Sequence, residues 1–147
     1  MEPPPLLFGE ERIKNMKIKL MSVGGKKQNK DGRLGWKRTV DYYAPDMYEL
    51  LYCKNEREVI DQTNKLHPEI ALILPSAAGL DMEKGIRIVK SIKEISPQTA
   101  VFVCVGSFDD EQEAIDRFSL CGAYKCYSAP YSMDALFHDM FVALNLE

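Results

Sequence analysis

The sequence has few of the residues from which metal and redox sites are built. Of its 147 residues, two are histidine, one is tryptophan and four are cysteine. The cysteines are Cys53, Cys104, Cys121 and Cys126. No two of them have the two-residue spacing of a zinc or redox motif, and the histidines, His67 and His138, lie far apart in unrelated contexts. We therefore predict no metal site.

Long hydrophobic runs and a signal peptide are also missing. No stretch approaches the run of about 18 apolar residues that spans a membrane, and the first five residues do not resemble a signal peptide. We expect a cytoplasmic protein with no membrane partner, in which Cys53 and Cys104 are buried, reduced thiols. A composition of 46% hydrophobic and 28% charged residues is ordinary for a soluble chain.

Acidic residues are nearly absent from one stretch. Between Arg12 and Arg38 ten residues are basic and one, Asp31, is acidic, which gives a local charge of +9. Because the net charge is −3, the rest of the chain carries −12. This polarity predicts docking to an acidic partner or head-to-tail self-association, and a solvated basic edge explains it equally well. The stretch has no recognisable nucleic-acid motif, so we expect no nucleic-acid partner.

The chain divides at about residue 15. Residues 1–15 form a Pro-rich tail, in which three prolines favour an extended conformation and Leu6, Leu7 and Phe8 add an apolar segment. The tail is predicted either to lie on its own domain or a neighbouring one, or to be a linker. Residues 16–147 have a length that suits one domain with a substantial core.

Short apolar runs alternate with helical patterns along this domain. The centre is Ile70–Leu74, an unbroken apolar run between Pro68 and Pro75 that is typical of a strand covered on both faces. Strands are predicted at 16–23, 48–53, 70–74, 100–105 and 123–128, and helices at 36–43, 56–65, 83–95, 110–120 and 132–144. This order predicts an α/β fold with a doubly wound parallel sheet and right-handed crossovers. We expect Asn55 and Ser132 to cap helices, and Gly122 to end one.

The glycines after the first strand do not form a phosphate-binding motif. Gly24 and Gly25 lead into a polar segment, residues 26–35, with neither a Walker pattern nor G-x-G-x-x-G. We predict a long loop here, with a helix beginning only at Trp36.

Four short motifs in the second half carry a family resemblance. They are His67-Pro68-Glu69, Gly79-Leu80-Asp81, Cys121-Gly122-Ala123 and Ala129-Pro130-Tyr131. With their spacing they resemble the receiver domain of two-component response regulators, the CheY-like family. The resemblance implies a flavodoxin-like sheet of five parallel strands in the order 2-1-3-4-5.

The resemblance also implies which residues would hold the chemistry. A receiver has an acidic pair after strand one, a phosphate-accepting aspartate after strand three, a hydroxyl after strand four and a lysine before the proline after strand five. The matching positions here are Val23, Gly24, Leu74, Val105 and Ala129. None of them carries the required group. The sequence therefore predicts a degenerate pseudo-receiver without catalysis, metal or cofactor, whose cleft is filled by apolar side chains.

With catalysis absent, protein interaction is the expected function. Receivers commonly pair through the fourth helix, fifth strand and fifth helix, so a homodimer or a signalling partner is predicted there. The candidate interface residues are Arg117, Tyr124, Tyr127, Met133, Phe137 and Phe141. The last three recur at four-residue spacing in the final helix, which indicates either a partner-binding patch or a wide core-facing stripe partly covered by the tail.

Two other functions have weaker signals. Gly24-Gly25, Asp31-Gly-Arg-Leu-Gly35 and Ser76-Ala-Ala-Gly79 faintly resemble the motifs of cobalamin-binding flavodoxin-like domains, with Arg33 in place of the metal-ligating histidine. This predicts, as the alternative, a small-molecule-binding domain. An enzyme with chemistry at Asp31 or Ser76 is less well supported, because Ser76 has no nucleophile elbow and only two histidines are available as a base.

Overall fold

Five parallel strands form the centre of the molecule. The computed structural model describes residues 18–24, 30–75, 79–106, 108–128 and 132–144. The strands are β1 (Ile18–Val23), β2 (Tyr48–Cys53), β3 (Ile70–Ile73), β4 (Ala100–Cys104) and β5 (Lys125–Tyr127). Their order in the sheet is β2-β1-β3-β4-β5, and every neighbouring pair is parallel. The predicted fold class and strand order are confirmed.

Five helices in the described part of the chain cover the two faces of this sheet. They are α1 (Lys30–Tyr43), α2 (Glu56–Leu66), α3 (Met82–Ile95), α4 (Glu111–Leu120) and α5 (Met133–Ala143). Apolar residues of α2, α3 and α4 pack on one face, and those of α1 and α5 pack on the other. None of the described helices is long and apolar enough to cross a membrane.

The central strand β3 is buried along its whole length. Because side chains alternate along a strand, Ala71 and Ile73 belong to the cluster under α2, α3 and α4, while Ile70 and Leu72 belong to the cluster under α1 and α5. This explains why the sequence shows a continuous apolar run here rather than an alternating pattern.

Hydrogen bonds from both sides fix the N-terminal end of β3. The carboxylate of Glu69 accepts the Lys19 backbone N–H at 2.8 Å. On the other side, the buried Thr99 hydroxyl donates to the Pro68 carbonyl oxygen at 2.6 Å. Buried polar groups are thus paired where the chain enters the core, and the position of β3 between its neighbours is set at that end.

Side-chain caps start four of the helices. Asn55, Asp81, Asp110 and Ser132 each accept a backbone N–H from the first turn of the following helix. At the end of α4, Gly122 has a φ of +107°, its N–H bonds to Ser119 O, and the Ala123 N–H bonds to Phe118 O. This is the Schellman pattern. The predicted capping roles of Asn55, Ser132 and Gly122 are confirmed.

The start of α1 was predicted wrongly. The helix begins at Lys30, six residues before the predicted start at Trp36, and includes Gly32 and Gly35. Glycine lowers helix propensity by about 1 kcal/mol relative to alanine, but propensity is a weak guide where packing favours the helix. The last turns of α1 pack Val40 and Tyr43 against the core. The other predicted boundaries that fall on described residues agree within two residues.

A glycine allows close approach of α3 and α4. A Cβ atom at Gly85 would lie 2.9 Å from Cζ of Phe118, whose ring is fully buried. We expect Gly85→Ala to lower the free energy of unfolding by about 1 kcal/mol, because overpacking of about 1–3 kcal/mol exceeds the helix-propensity gain. Urea denaturation measures the change. Lys90→Ala, at an exposed position of the same helix, is the control and should be nearly neutral; an equally stable Gly85→Ala protein would contradict the close packing.

Candidate functional site

Apolar residues occupy the carboxyl edge of the sheet, where doubly wound folds usually place their ligands. Val23 ends β1 and is fully buried, and Val105 follows β4 and is also fully buried. Leu74 follows β3 and is half-buried. The Leu74 N–H bonds to Val23 O at 2.8 Å, and the Val105 N–H bonds to Tyr127 O at 2.8 Å. Leu74 and Val105 therefore continue the hydrogen bonding of the sheet beyond β3 and β4, at the same edge as Val23 at the end of β1.

The side chains of this edge do not form a single cluster. Val23 and Val105 lie in the cluster under α2, α3 and α4, while Leu74 packs against the cluster under α1 and α5. The predicted apolar residues thus pack on both sides of the sheet, and the prediction of an apolar-filled cleft stays a prediction. Ala129, the predicted position of the missing lysine, lies outside the described residues.

Gly24 continues β1 in a conformation that favours glycine. Its N–H bonds to Cys53 O at 3.2 Å, and its φ is +119°. A residue with a side chain is strained at such an angle. An acidic side chain at this position would therefore require a different backbone after β1.

Among the described residues at these strand ends, Val23, Leu74 and Val105 offer no side-chain oxygen to a hard cation. Val23, Leu74 and Val105 carry hydrocarbon only, and Asp110 in the nearby loop is engaged as the cap of α4, accepting the Glu113 N–H at 2.9 Å. Among the described residues no group of three His, Cys, Asp or Glu side chains could hold a metal ion. The side chains therefore do not fit a magnesium ion, which prefers carboxylate and water oxygens.

The Cys53 thiol at this edge is not activated as a nucleophile. Cys53 ends β2 and is buried, and burial raises the pKa of its thiol to about 12, with a smaller contribution from Glu58. A neutral thiol is a poor nucleophile. As predicted, Cys53 and Cys104 are buried, while Cys121 and Cys126 are half-buried and all four are free thiols.

Solved structures of receiver domains share this architecture. A response regulator from Thermotoga maritima is 18% identical with a TM-score of 0.67, and the match covers 88% of this chain and 99% of that one. A two-component response regulator from Clostridium difficile is 14% identical with a TM-score of 0.68, covering 88% and 97%. The receiver domain of a sensor histidine kinase from Pseudomonas aeruginosa, which has a magnesium ion coordinated in its active-site cleft, is 9% identical with a TM-score of 0.63, covering 88% and 98%.

The fold is that of a receiver domain. At these identities the likeness establishes the fold alone. No family model matches the sequence, and no curated protein matches it.

A second surface of this receiver fold is formed by α4, β5 and α5, and we call it the α4–β5–α5 face. Tyr124 is 50% exposed there, with its ring 5.2 Å from that of Phe102. Arg117 is partly exposed and donates to the Glu83 carboxylate on α3 at 2.7 Å. Tyr124 and Arg117 are thus accessible candidates, whereas Tyr127 is buried in the sheet.

Phe137 is buried and cannot contribute to an exposed patch. It is 2% exposed, and its ring stacks on that of Tyr43 with centroids 4.8 Å apart and an interplanar angle of 9°. The core-facing alternative is therefore correct for Phe137, because α1 lies over this part of α5. Met133 and Phe141 are half-buried. The segment predicted to cover them, Leu6 to Phe8, lies outside the described residues.

The sequence analysis missed two exposed apolar residues on α4 and α5. Leu120 is 88% exposed and Val142 is 37% exposed. Leu120 ends α4 and Val142 lies in the last turn of α5. Both helices run antiparallel to β5, so the two residues lie toward the same end of the molecule as Tyr124, which immediately precedes β5. Leu120 could have been found in the sequence, because it falls two residues after Phe118 and off the buried stripe of Ala114 and Phe118.

Three polar side chains join β5 to α5. The Tyr127 hydroxyl donates to Oδ2 of Asp139 at 2.7 Å, and Lys125 Nζ lies 2.8 Å from the same oxygen. Burial and the bond to Asp139 raise the pKa of Tyr127. Burial alone would raise the pKa of Asp139, but the hydrogen bonds from Lys125 and Tyr127 outweigh it and lower that pKa. Asp139 is therefore ionised at neutral pH.

The residues of the small-molecule alternative fall largely outside the described part of the structure. Residues 25–29 and 76–78 lie outside it, as do the side chains of residues 30–36. That alternative stays a prediction.

Truncating Phe137 tests its place in the core. We expect Phe137→Ala to lower the free energy of unfolding by about 3–5 kcal/mol, since a fully buried aromatic side chain is lost and a cavity remains. Denaturant unfolding measures the difference. Val142→Ala on the exposed side of the same helix is the matched control and should change stability by less than about 0.5 kcal/mol. Equal effects of the two substitutions would contradict the assignment of Phe137 to the core.

Proposed function

We propose that this chain is a pseudo-receiver that acts as a phosphorylation-independent protein-interaction module in two-component-type signalling. It performs no reaction and holds no cofactor at its carboxyl edge. The observation that carries the proposal is the apolar character of the strand ends at Val23, Leu74 and Val105.

Phosphoryl transfer to a receiver needs groups that these positions do not offer. The acceptor must be a carboxylate, and the charge of the transferred group must be offset by a cation and by positively charged or hydrogen-bonding side chains. Leu74 has no atom that can accept a phosphoryl group. Val23 and Gly24 supply no side-chain oxygen for a cation, and Val105 supplies no hydroxyl.

The surface that we propose for docking is the α4–β5–α5 face. Its exposed apolar residues, Leu120, Tyr124 and Val142, lie toward one end of three neighbouring elements. Exposed aromatic and aliphatic side chains are typical of protein interfaces. Either a second copy of this chain or another signalling protein would bind there.

The absence of phosphorylation can be tested directly. We expect the protein to gain no phosphoryl mass when it is incubated with acetyl phosphate and magnesium, and its amide NMR spectrum to stay unchanged with beryllofluoride and magnesium. A receiver domain that keeps its aspartate is the positive control. A phosphorylated species of the native sequence would overturn the proposal.

Substitution of Leu74 separates the effect of the absent phosphate acceptor from the effect of the absent cation ligands. Leu74→Asp restores the carboxylate alone, and Leu74→Asn is its uncharged match. We expect neither variant to be phosphorylated, because Val23 and Gly24 still offer no oxygen ligand. Mass spectrometry of the Leu74→Asp protein would contradict this if it showed stable acetyl-phosphate-dependent labelling.

The docking face is tested by adding charge to it. We expect Leu120→Lys together with Tyr124→Lys to weaken self-association or partner binding by about tenfold or more, because truncating or charging an interface anchor costs about 2 kcal/mol. Light scattering measures self-association, and titration measures binding of an identified partner. Leu120→Lys alone avoids disturbing the Tyr124 contact with Phe102. Tyr42→Lys, at a 79% exposed position of α1, is the control, and an equal loss in the control would reject the face.

A further inference from the structure

We infer that Lys125, Tyr127 and Asp139 form a latch that holds α5 against the edge strand β5, and that the latch fixes the α4–β5–α5 face in one arrangement without any phosphoryl group. The inference goes beyond the proposed function, since it concerns how the face is held rather than what binds to it.

One carboxylate oxygen joins the two elements. Oδ2 of Asp139 on α5 accepts the Tyr127 hydroxyl at 2.7 Å and lies 2.8 Å from Lys125 Nζ. Lys125 and Tyr127 are two residues apart in β5 and therefore point to the same side of the sheet. The Lys125 ammonium also lies 5.6 Å from the centre of the Tyr127 ring. The three side chains thus form one connected group.

The carboxylate of the latch is partly shielded from water. The side chain of Asp139 is 17% exposed, whereas that of Lys125 is 50% exposed, so solvent screens the ion pair and the bond from the Tyr127 hydroxyl is the more shielded of the two contacts. Hydrogen bonds to charged groups are stronger than neutral ones, and an unpaired buried charge is costly. Tyr127 itself is 7% exposed, and its ring stacks on that of Phe102 with centroids 6.3 Å apart.

The latch lies where α5 contacts the edge strand of the sheet. The strand β5 has three residues and pairs with β4 alone, so one of its long edges receives no strand. The apolar residues of α5, Leu136, Phe137 and Met140, attach that helix to the core. The latch is a polar contact between α5 and β5. The exposed Tyr124 immediately precedes β5, and the exposed Val142 lies on α5.

Hydrogen exchange at single amides tests the latch. The Val105 N–H bonds to the Tyr127 carbonyl oxygen and so reports release of β5. The Leu74 N–H, bonded to Val23 O, is the internal reference, because it follows the central strand β3 and does not bond to β5. In Asp139→Asn we expect exchange at Val105 to rise about tenfold while exchange at Leu74 stays within twofold of the native rate. Tyr127→Phe, which removes only the hydroxyl, should raise exchange at Val105 by a smaller factor.

Asp116→Asn, at an exposed position of α4, is the matched control and should leave both amides unchanged. Unchanged exchange at Val105 in the Asp139→Asn and Tyr127→Phe proteins would overturn the latch, and so would an equal rise at Val105 and Leu74, which indicates general destabilisation. If the Asp139→Asn protein does not fold, the Tyr127→Phe protein is judged by the same comparison of amide exchange at Val105 and Leu74. These outcomes do not depend on phosphorylation or partner binding, so failure of the latch and failure of the proposed function are distinguishable.

Discussion

The burial of both faces of the central strands is the constraint on which the rest of this structure depends. Helices cover β1, β3 and β4 on each side, so almost every side chain of these strands must be apolar. In this chain the apolar character continues to the last residue of β1 and to the first residues after β3 and β4. The hydrophobic core therefore reaches the edge at which doubly wound folds usually hold polar chemistry.

This extension of the core makes the carboxyl edge of the sheet an apolar, packed region. The carboxyl edge contributes packing, through Val23 and Val105 on one side of the sheet and Leu74 on the other. Polar and exposed apolar groups are instead found around β5, where Tyr127 and Asp139 bond and Tyr124 is exposed. In the part of the chain that the structure describes, β5 and α5 are thus joined by polar contacts within the chain itself.

Local sequence patterns predicted most of the secondary structure, but they did not predict the start of α1 or the burial of Phe137. The alternation of apolar runs with helical patterns predicted the parallel sheet, and the family resemblance implied the order of its strands. Asn55 and Ser132 marked helix starts because their side chains can accept a backbone N–H. Gly122 marked a helix end because glycine tolerates a positive φ. The start of α1 was missed because Gly32 and Gly35 argue locally against a helix that tertiary packing favours. The burial of Phe137 depends on a stacking partner, Tyr43, which is about ninety residues away in sequence, and no pattern within α5 identifies it.

The backbone at the end of β1 limits which substitutions this edge can accept. Gly24 has a φ of +119°, a conformation in which an L-amino acid with a side chain is strained. An acidic residue placed there by a single substitution would strain the backbone before its carboxylate could serve any ligand. Engineering a carboxylate at position 24 would therefore require a new backbone conformation as well as a new side chain.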